Sequence, residues 1–188
     1  MALSSVLDYD IERVLLSRVE IENLTTRIAA LLDRDYAKSK RVLLLGILKG
    51  SVVFMGDLMK KMTIPVEIDF MKVSSYKDGT ESSGRINIQL DLNRSDLSEC
   101  DIIIIEDIID SGRTLSYLVD YLKLNGAKSV KTCTLLDKPS RRVVDFTPDY
   151  CGAVIPDEFV VGYGLDYAEQ YRTLPYIGIL KPKIYEKK

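Results

Sequence analysis

Ile102-Ile103-Ile104-Ile105-Glu106-Asp107-Ile108-Ile109-Asp110-Ser111-Gly112-Arg113-Thr114 is the stretch that decides the fold. Four consecutive isoleucines make a strand that is apolar on both faces, the pattern of a strand buried inside a parallel sheet. Leu115, Leu118, Val119 and Leu122 then recur at helical spacing, and Asn125-Gly126 supplies a C-cap signal, so the stretch reads strand, turn, helix. At the turn fall three acids, a glycine and two hydroxyls. The backbone N–H groups between Asp110 and Thr114, with the positive end of the helix dipole behind them, form an anion cradle suited to a phosphate monoester. Gly112 lets the chain approach closely, and Ser111 and Thr114 add hydroxyl donors. Carboxylates beside a phosphate require something positive or hydroxyl-bearing between them, and Mg²⁺ or the hydroxyls of a sugar meet that need.

On either side of this stretch the same alternation recurs. Ser17-Arg18-Val19-Glu20 is a capping box, and Ile21, Leu24, Ile28, Leu31 and Leu32 continue it as an amphipathic helix of about 18 residues. Val42-Leu43-Leu44-Leu45-Gly46-Ile47-Leu48 is another doubly buried strand, followed by a helical pattern over residues 51–62. Val66, Ile68 and Phe70 alternate, as do Ile86, Ile88, Leu90 and Leu92, giving the two arms of a hairpin. Residues 74–84 between them hold little apolar besides Tyr76 and read as a long hairpin tip or a lid. Residues 130–136 form a third buried strand. Strands alternating with helices predict an α/β doubly wound sheet, whose ligands bind beyond the carboxyl ends of the strands. No linker, repeat or low-complexity tract divides residues 1–188, so a single domain is expected.

Composition narrows the chemistry. The 188 residues carry 26 Lys+Arg against 28 Asp+Glu and no histidine. Without imidazole there is no Ser-His or Cys-His mechanism and no His-liganded zinc; proton transfer falls to carboxylate, Lys, Tyr or thiol, and any metal to oxygen ligands. Cys100, Cys133 and Cys151 lack the close spacing of zinc or redox sites and read as reduced, non-catalytic thiols. The segment from Met1 to Asp10 has neither a basic nor an apolar signal region, no run approaches a membrane span, and the near-neutral charge gives no general field for nucleic acid. A cytoplasmic protein is expected. Strands ending in two acids also serve magnesium in nucleotide hydrolases, but their lysine-bearing glycine loop is missing, and Gly162-Tyr163-Gly164 lacks the third glycine of a dinucleotide fingerprint.

Residues 102–114 resemble the phosphoribosyl-pyrophosphate motif of the type I phosphoribosyltransferases. The remainder is similar to the hypoxanthine-guanine branch: Leu48-Lys49-Gly50, Ser75-Tyr76, Leu136-Asp137-Lys138-Pro139 and residues 155–167 occur in family order. Ser111 and Arg113 stand where many members have Thr and Lys. The resemblance implies a central, mainly parallel sheet flanked by helices, a small hood built from the N- and C-terminal segments, and a flexible hairpin loop. It also implies transfer of a 5-phosphoribosyl group from phosphoribosyl pyrophosphate to hypoxanthine or guanine in purine salvage, with Mg²⁺, in a homodimer or homotetramer. Glu106 and Asp107 would meet the ribose hydroxyls and magnesium, and residues Asp110, Ser111, Gly112, Arg113 and Thr114 the 5-phosphate. Asp110 would be the general base for the purine N7 proton. Lys49, Gly50, Ser75, Tyr76 and Arg172 would hold pyrophosphate, with Arg142 in support and the peptide before Lys49 able to be cis. Lys138 would donate to the 6-oxo group, Phe159 stack on the base, Val160 offer backbone groups, and Asp166 give a purine-side and second magnesium contact. Taken singly, Lys49 is a turn lysine, Arg172 surface charge and Phe159 ordinary core; only the resemblance joins them. A regulator that keeps the cradle and binds nucleic acid is the competing reading; it predicts a basic surface and a lost base pocket. The basic terminal segment, residues 181–188, reads as a frayed end.

Overall fold

The computed structural model describes residues 6–78 and 81–186, and for residues 6, 75–78 and 81–85 it describes the backbone alone. Among the described residues nine strands, β1 (Ile11–Leu16), β2 (Val42–Ile47), β3 (Glu67–Asp78), β4 (Glu81–Leu90), β5 (Asp101–Ile109), β6 (Ser129–Asp137), β7 (Tyr150–Val154), β8 (Val160–Val161) and β9 (Ile177–Leu180), accompany four α-helices, α1 (Arg18–Asp35), α2 (Ser51–Met59), α3 (Arg113–Leu124) and α4 (Pro182–Tyr185). The main sheet has the order β4-β3-β2-β5-β6-β7 and is parallel except for the β3–β4 hairpin. A second, antiparallel sheet, β1-β9-β8, joins the two ends of the chain.

The isoleucine and leucine runs are buried because both faces of the sheet are covered. Leu44, Ile103 and Ile105 point into a core shared with α1 and α2, while Leu43, Leu45, Ile102 and Ile104 point into one shared with α3. The capping box forms as read: Glu20 N donates to Ser17 Oγ at 3.3 Å and Ser17 N to Glu20 Oε2 at 2.7 Å. At the far end of α3, Gly126 at φ 85° lets Ala127 N reach Leu122 O and its own N reach Lys123 O, a complete Schellman cap.

Several boundaries move. α2 stops at Met59 rather than residue 62, and the chain turns there toward Thr63 and Ile64, whose N–H groups are taken by Asp33. β5 runs through Ile109, so Glu106 and Asp107 lie inside the strand; pairing as far as Ile109↔Asp137 holds them there. Part of what read as a loop over residues 74–84 is ladder: Ser74 pairs with Asn87 and Ser75 with Ile86. Backbone pairing needs no apolar side chains, which explains why periodicity missed it. The lid roles read for the Ser75 and Tyr76 side chains lie outside the described residues. Strands β1, β7, β8 and β9, short or irregular in pattern, were not anticipated. The terminal segment is not frayed over its described part; it forms α4.

At the amino ends of β2 and β3, Arg41 and Arg94 clamp Glu67 (2.7 and 2.6 Å) and share Asp96. These two guanidiniums hold the Glu67 carboxyl down to about 2 from an ordinary 4.5. A lowered value in the folded state stabilises above about pH 4.5 and is lost as pH falls toward 2. Glu67→Gln is therefore expected to lower the Tm at neutral pH, and the gap to the parent should close on acidification between those values. A gap that stays constant in thermal unfolding across that range would remove Glu67 from acid stability.

Candidate active site

Three strand ends meet at one rim. β2 leads into Leu48-Lys49-Gly50, β5 into residues 110–114 and β6 into Lys138. β3 lies on one side of β2 and β5 on the other, so chain order reverses between β2 and β5, where open α/β sheets bind ligands.

The turn after β5 is fastened from one side. Lys138 N donates to Ile109 O (3.0 Å), Arg142 Nη1 to Asp110 O, and Val143 N to Ser111 O (3.1 Å). In a trans peptide the N–H points opposite the carbonyl. The N–H groups of Ser111 and Gly112 therefore face away from this segment, and neither has a hydrogen-bond partner among the described residues. α3 begins at Gly112 with no side-chain cap, and Arg113 N goes only to Ser111 Oγ at 3.3 Å. The result is a 140 Å³ recess lined by Glu106, Asp110, Ser111, Gly112, Thr114 and Leu115. Gly112 has φ 79°, and a Cβ there would fall 2.9 Å from Arg142 Cδ, so only glycine fits. The Arg113 side chain is exposed, with no hydrogen-bond or ion-pair partner among the described residues.

Beside the recess sit the two in-strand acids. Burial pushes the Glu106 carboxyl well up, and the neighbouring Asp107 charge adds to it. Burial also pushes Asp107 up to about 6, partly offset by the Ile108 N–H and by the Arg172 charge. Glu106 Oε2 is buried with no partner. An orphaned carboxylate oxygen next to a second, reluctantly ionised acid is a donor set that fits a hard cation, and a cation would relieve the very cost that raises both groups.

Gly50 touches this pair directly, since a Cβ there would overlap Asp107 Oδ2. The Leu48–Lys49 peptide is cis. Lys49 Nζ pairs with Glu169 (3.0 Å), and Arg172 Nη2 with Asp166 (2.8 Å) and Glu169 (3.4 Å). Arg172 Nη1 donates to Gly164 O at 2.7 Å and its Nε is buried without a partner. Lys49, Asp166 and Arg172 are thus brought together, with Glu169 as a member that sequence reading missed. Tyr163, Ala168, Glu169 and Tyr171 all have positive φ in this loop, and such non-glycine conformations concentrate at functional sites; nothing in those residue types announces it. Asp166, Glu106 and Asp107 do not gather into one metal-ligand cluster among the described residues.

On the other flank, Lys138, Asp110, Phe159, Val160 and Asp166 line a cavity of about 350 Å³. Lys138 is buried, yet its Nζ has a carbonyl, Glu158 O, at 2.9 Å, and Asp110 Oδ1 at 3.7 Å. Phe159 is 36% exposed, which for a large ring at a rim leaves a face open to the cavity. Arg142 Nη2 pairs with Asp137 Oδ1 and Nη1 donates to the Asp110 carbonyl, so it braces the turn after β5. Cys133 is fully buried and burial raises its thiol, as it does for Cys100 and Cys151, against any nucleophilic role.

Residues 15–168 match the sequence profile of the phosphoribosyl transferase domain. The chain belongs to that family. Within the phosphoribosyl transferase family, it is 52% identical over 181 residues to the hypoxanthine-guanine phosphoribosyltransferase of Bacillus subtilis, covering 96% of this chain and 99% of that protein. It is 54% identical over 178 residues to the bifunctional protein TilS/HprT of Listeria monocytogenes, covering 95% of this chain but 27% of that longer protein. A crystal structure of a hypoxanthine phosphoribosyltransferase from Staphylococcus aureus superposes with a TM-score of 0.93 at 48% identity, covering 98% of this chain and 100% of that one.

If Arg142 braces this turn, inorganic phosphate should raise the Tm of the parent protein more than that of Arg142→Ala, whose own Tm should also be lower because buried Asp137 is freed. An undiminished phosphate-dependent rise in a thermal-shift titration would detach Arg142 from the cradle.

Proposed function

We propose that this chain is a hypoxanthine-guanine phosphoribosyltransferase of purine salvage, moving a 5-phosphoribosyl group from phosphoribosyl pyrophosphate to hypoxanthine or guanine and releasing pyrophosphate. The observation that carries the reading is a phosphate-sized N–H recess, an acid pair and a buried lysine amine around one sheet switch point. Full-length similarity to enzymes of that name supports it.

In this reading the Ser111 and Gly112 N–H groups and the Thr114 hydroxyl hold the 5-phosphate, with Arg113 at its outer edge. Glu106 and Asp107 accept from the ribose hydroxyls and would hold magnesium, with Asp166 as a second contact. Bound magnesium would supply positive charge to the pyrophosphate leaving group. Lys49 and Arg172 exchange their present partners for pyrophosphate oxygens and the Gly50 amide donates to them, with Ser75 and Tyr76 closing over them. Asp110, half exposed at the mouth, accepts the purine N7 proton, which grows acidic as the base acquires ribosyl character. Lys138 has donors only, so it favours a 6-oxo group over a 6-amino group. Phe159 stacks on the base and the Val160 backbone meets its other edge. Association into a homodimer or homotetramer goes with the reading, and Val52 and Met59 on α2, 45% and 38% exposed, offer an apolar face beside the Lys49 turn. So does a cytoplasmic location, with its three reduced thiols; no helix among the described residues is long and apolar enough to cross a membrane. Nucleic acid is not an expected partner.

The deciding assay mixes protein, Mg²⁺ and phosphoribosyl pyrophosphate with hypoxanthine, guanine, xanthine or adenine and follows nucleotide formation; none from any base would favour the regulator. Asp110→Asn should retain substrate binding and lose turnover by on the order of 10²–10⁴-fold. An unchanged kcat would take Asp110 out of the base role. Lys138→Ala should weaken hypoxanthine far more than phosphoribosyl pyrophosphate, read from the two KM values; equal losses would move Lys138 out of the base pocket.

A further inference from the structure

The terminal segment, which composition marks only as basic, is tied down. Lys181 N donates to Asp10 O at 2.9 Å, and α4 closes with Ile184 N on Lys181 O (2.9 Å) and Glu186 N on Pro182 O (2.8 Å). Ile184 and Tyr185 pack on the cluster of Ile11, Val161, Tyr171, Leu174 and Leu180. This anchoring carries the Tyr185 ring to Phe159: the rings stack with centroids 4.7 Å apart and planes 19° apart. Tyr167 meets Phe159 edge-on at 5.6 Å and 87°. Tyr185 thereby covers one face of Phe159, Tyr167 crosses that ring at a steep angle, and Tyr185 lines the same 350 Å³ cavity as Lys138 and Asp110.

We propose that Tyr185 is a positioning residue for the purine base, backing Phe159 so that the ring's free face is held flat in the cavity. The inference rests on the reading that Phe159 stacks on the base. A rim phenylalanine depends on the rings packed against it to fix its plane, Tyr185 across a whole face and Tyr167 at one contact, and a base that had to immobilise it on arrival would lose affinity to that ordering. The Tyr185 stack meets this cost at folding. The geometry asks only for a flat ring: both partners are apolar faces in offset contact.

The test compares steady-state KM for hypoxanthine and for phosphoribosyl pyrophosphate, with kcat, in Tyr185→Leu, Tyr185→Phe and Phe159→Ala. Tyr185→Leu keeps apolar bulk on the cluster while removing the flat ring. It should raise the hypoxanthine KM by roughly 3- to 10-fold, the worth of one aromatic pair, and leave the phosphoribosyl pyrophosphate KM and kcat within about twofold. Tyr185→Phe should behave as the parent. An unchanged hypoxanthine KM in Tyr185→Leu overturns the proposal. A lowered one does so too, because it would mean that the Tyr185 ring stands where the base must go. A rise in Tyr185→Phe equal to that in Tyr185→Leu also overturns it, by moving the effect to the hydroxyl. Phe159→Ala separates the two levels: if it leaves the hypoxanthine KM unchanged, the stacking reading of Phe159 fails, whereas a rise there with none in Tyr185→Leu sinks only the role of Tyr185.

Discussion

The parallel register of β2, β5 and β6 is the constraint from which the site follows. Val42 opposes Asp101 and Asp101 opposes Ser129, so the three strands start level; Gly46 opposes Ile105, and Ile109 opposes Asp137, so they deliver their carboxyl ends to one rim. Because alternate residues of each strand enter different cores, a slip of one residue would turn every buried isoleucine of β5 to the opposite face. The hydrophobic pattern thereby also sets where Lys49, Asp110 and Lys138 stand relative to one another. Gly46 shows how close the fit is: a Cβ there would fall 2.7 Å from Met55 Sδ, inside the α2 packing.

From that rim outward, order is imposed by hydrogen bonds to backbone. Ile109, Asp110 and Ser111 give three successive carbonyls to residues 138–143, so the N–H recess and the buried Lys138 share one fastening. Displacement of the Lys138 backbone would loosen Ile109 O as well as move Nζ. Such a recess is built from dipoles fixed before any ligand arrives, which is how a site binds an anion without reorganising for it.

Legibility in the sequence followed from how local the cause was. The capping box of α1, the strand-to-helix turn after the isoleucines and the Asn125-Gly126 cap depend on neighbours within a few residues; the two caps are present as read, and the turn is present but begins after Ile109 rather than Ile105. The β3–β4 ladder, the second sheet and α4 depend on pairings across the chain, such as Ile11 with Leu180, and local periodicity is silent about them. The site divides the same way. The Glu106–Thr114 cluster was visible because it is contiguous in sequence, from the end of β5 through the turn to α3. Glu169 as partner to Lys49, Arg142 on the Asp110 carbonyl, and the stack of Tyr185 on Phe159 bring together residues 120, 32 and 26 positions apart whose individual types are unremarkable. The absence of histidine was legible and informative: it leaves the site without an imidazole, and burial rather than residue type is what carries Asp107 up to about 6.

Three of the cations assigned to substrate, Lys49, Arg172 and Lys138, are already paired. Lys49 is on Glu169, Arg172 on Asp166 and Glu169, and Lys138 on Asp110. A polyanion arriving at the rim meets local charge close to balance rather than bare positive charge, so an indiscriminate phosphate gains little from long-range attraction. Exposed pairs such as Lys49 with Glu169 are worth about 0–1 kcal/mol, and breaking them in exchange for phosphate oxygens costs correspondingly little. Discrimination then rests on what must fit at the same time: the N–H recess, which only a compact anion enters; the acid pair, which repels an anion that brings no cation or hydroxyl; and the buried amine of Lys138 beyond them. Charge pairing thus converts a site rich in Lys and Arg from an anion trap into one that responds to the whole arrangement of groups on its ligand.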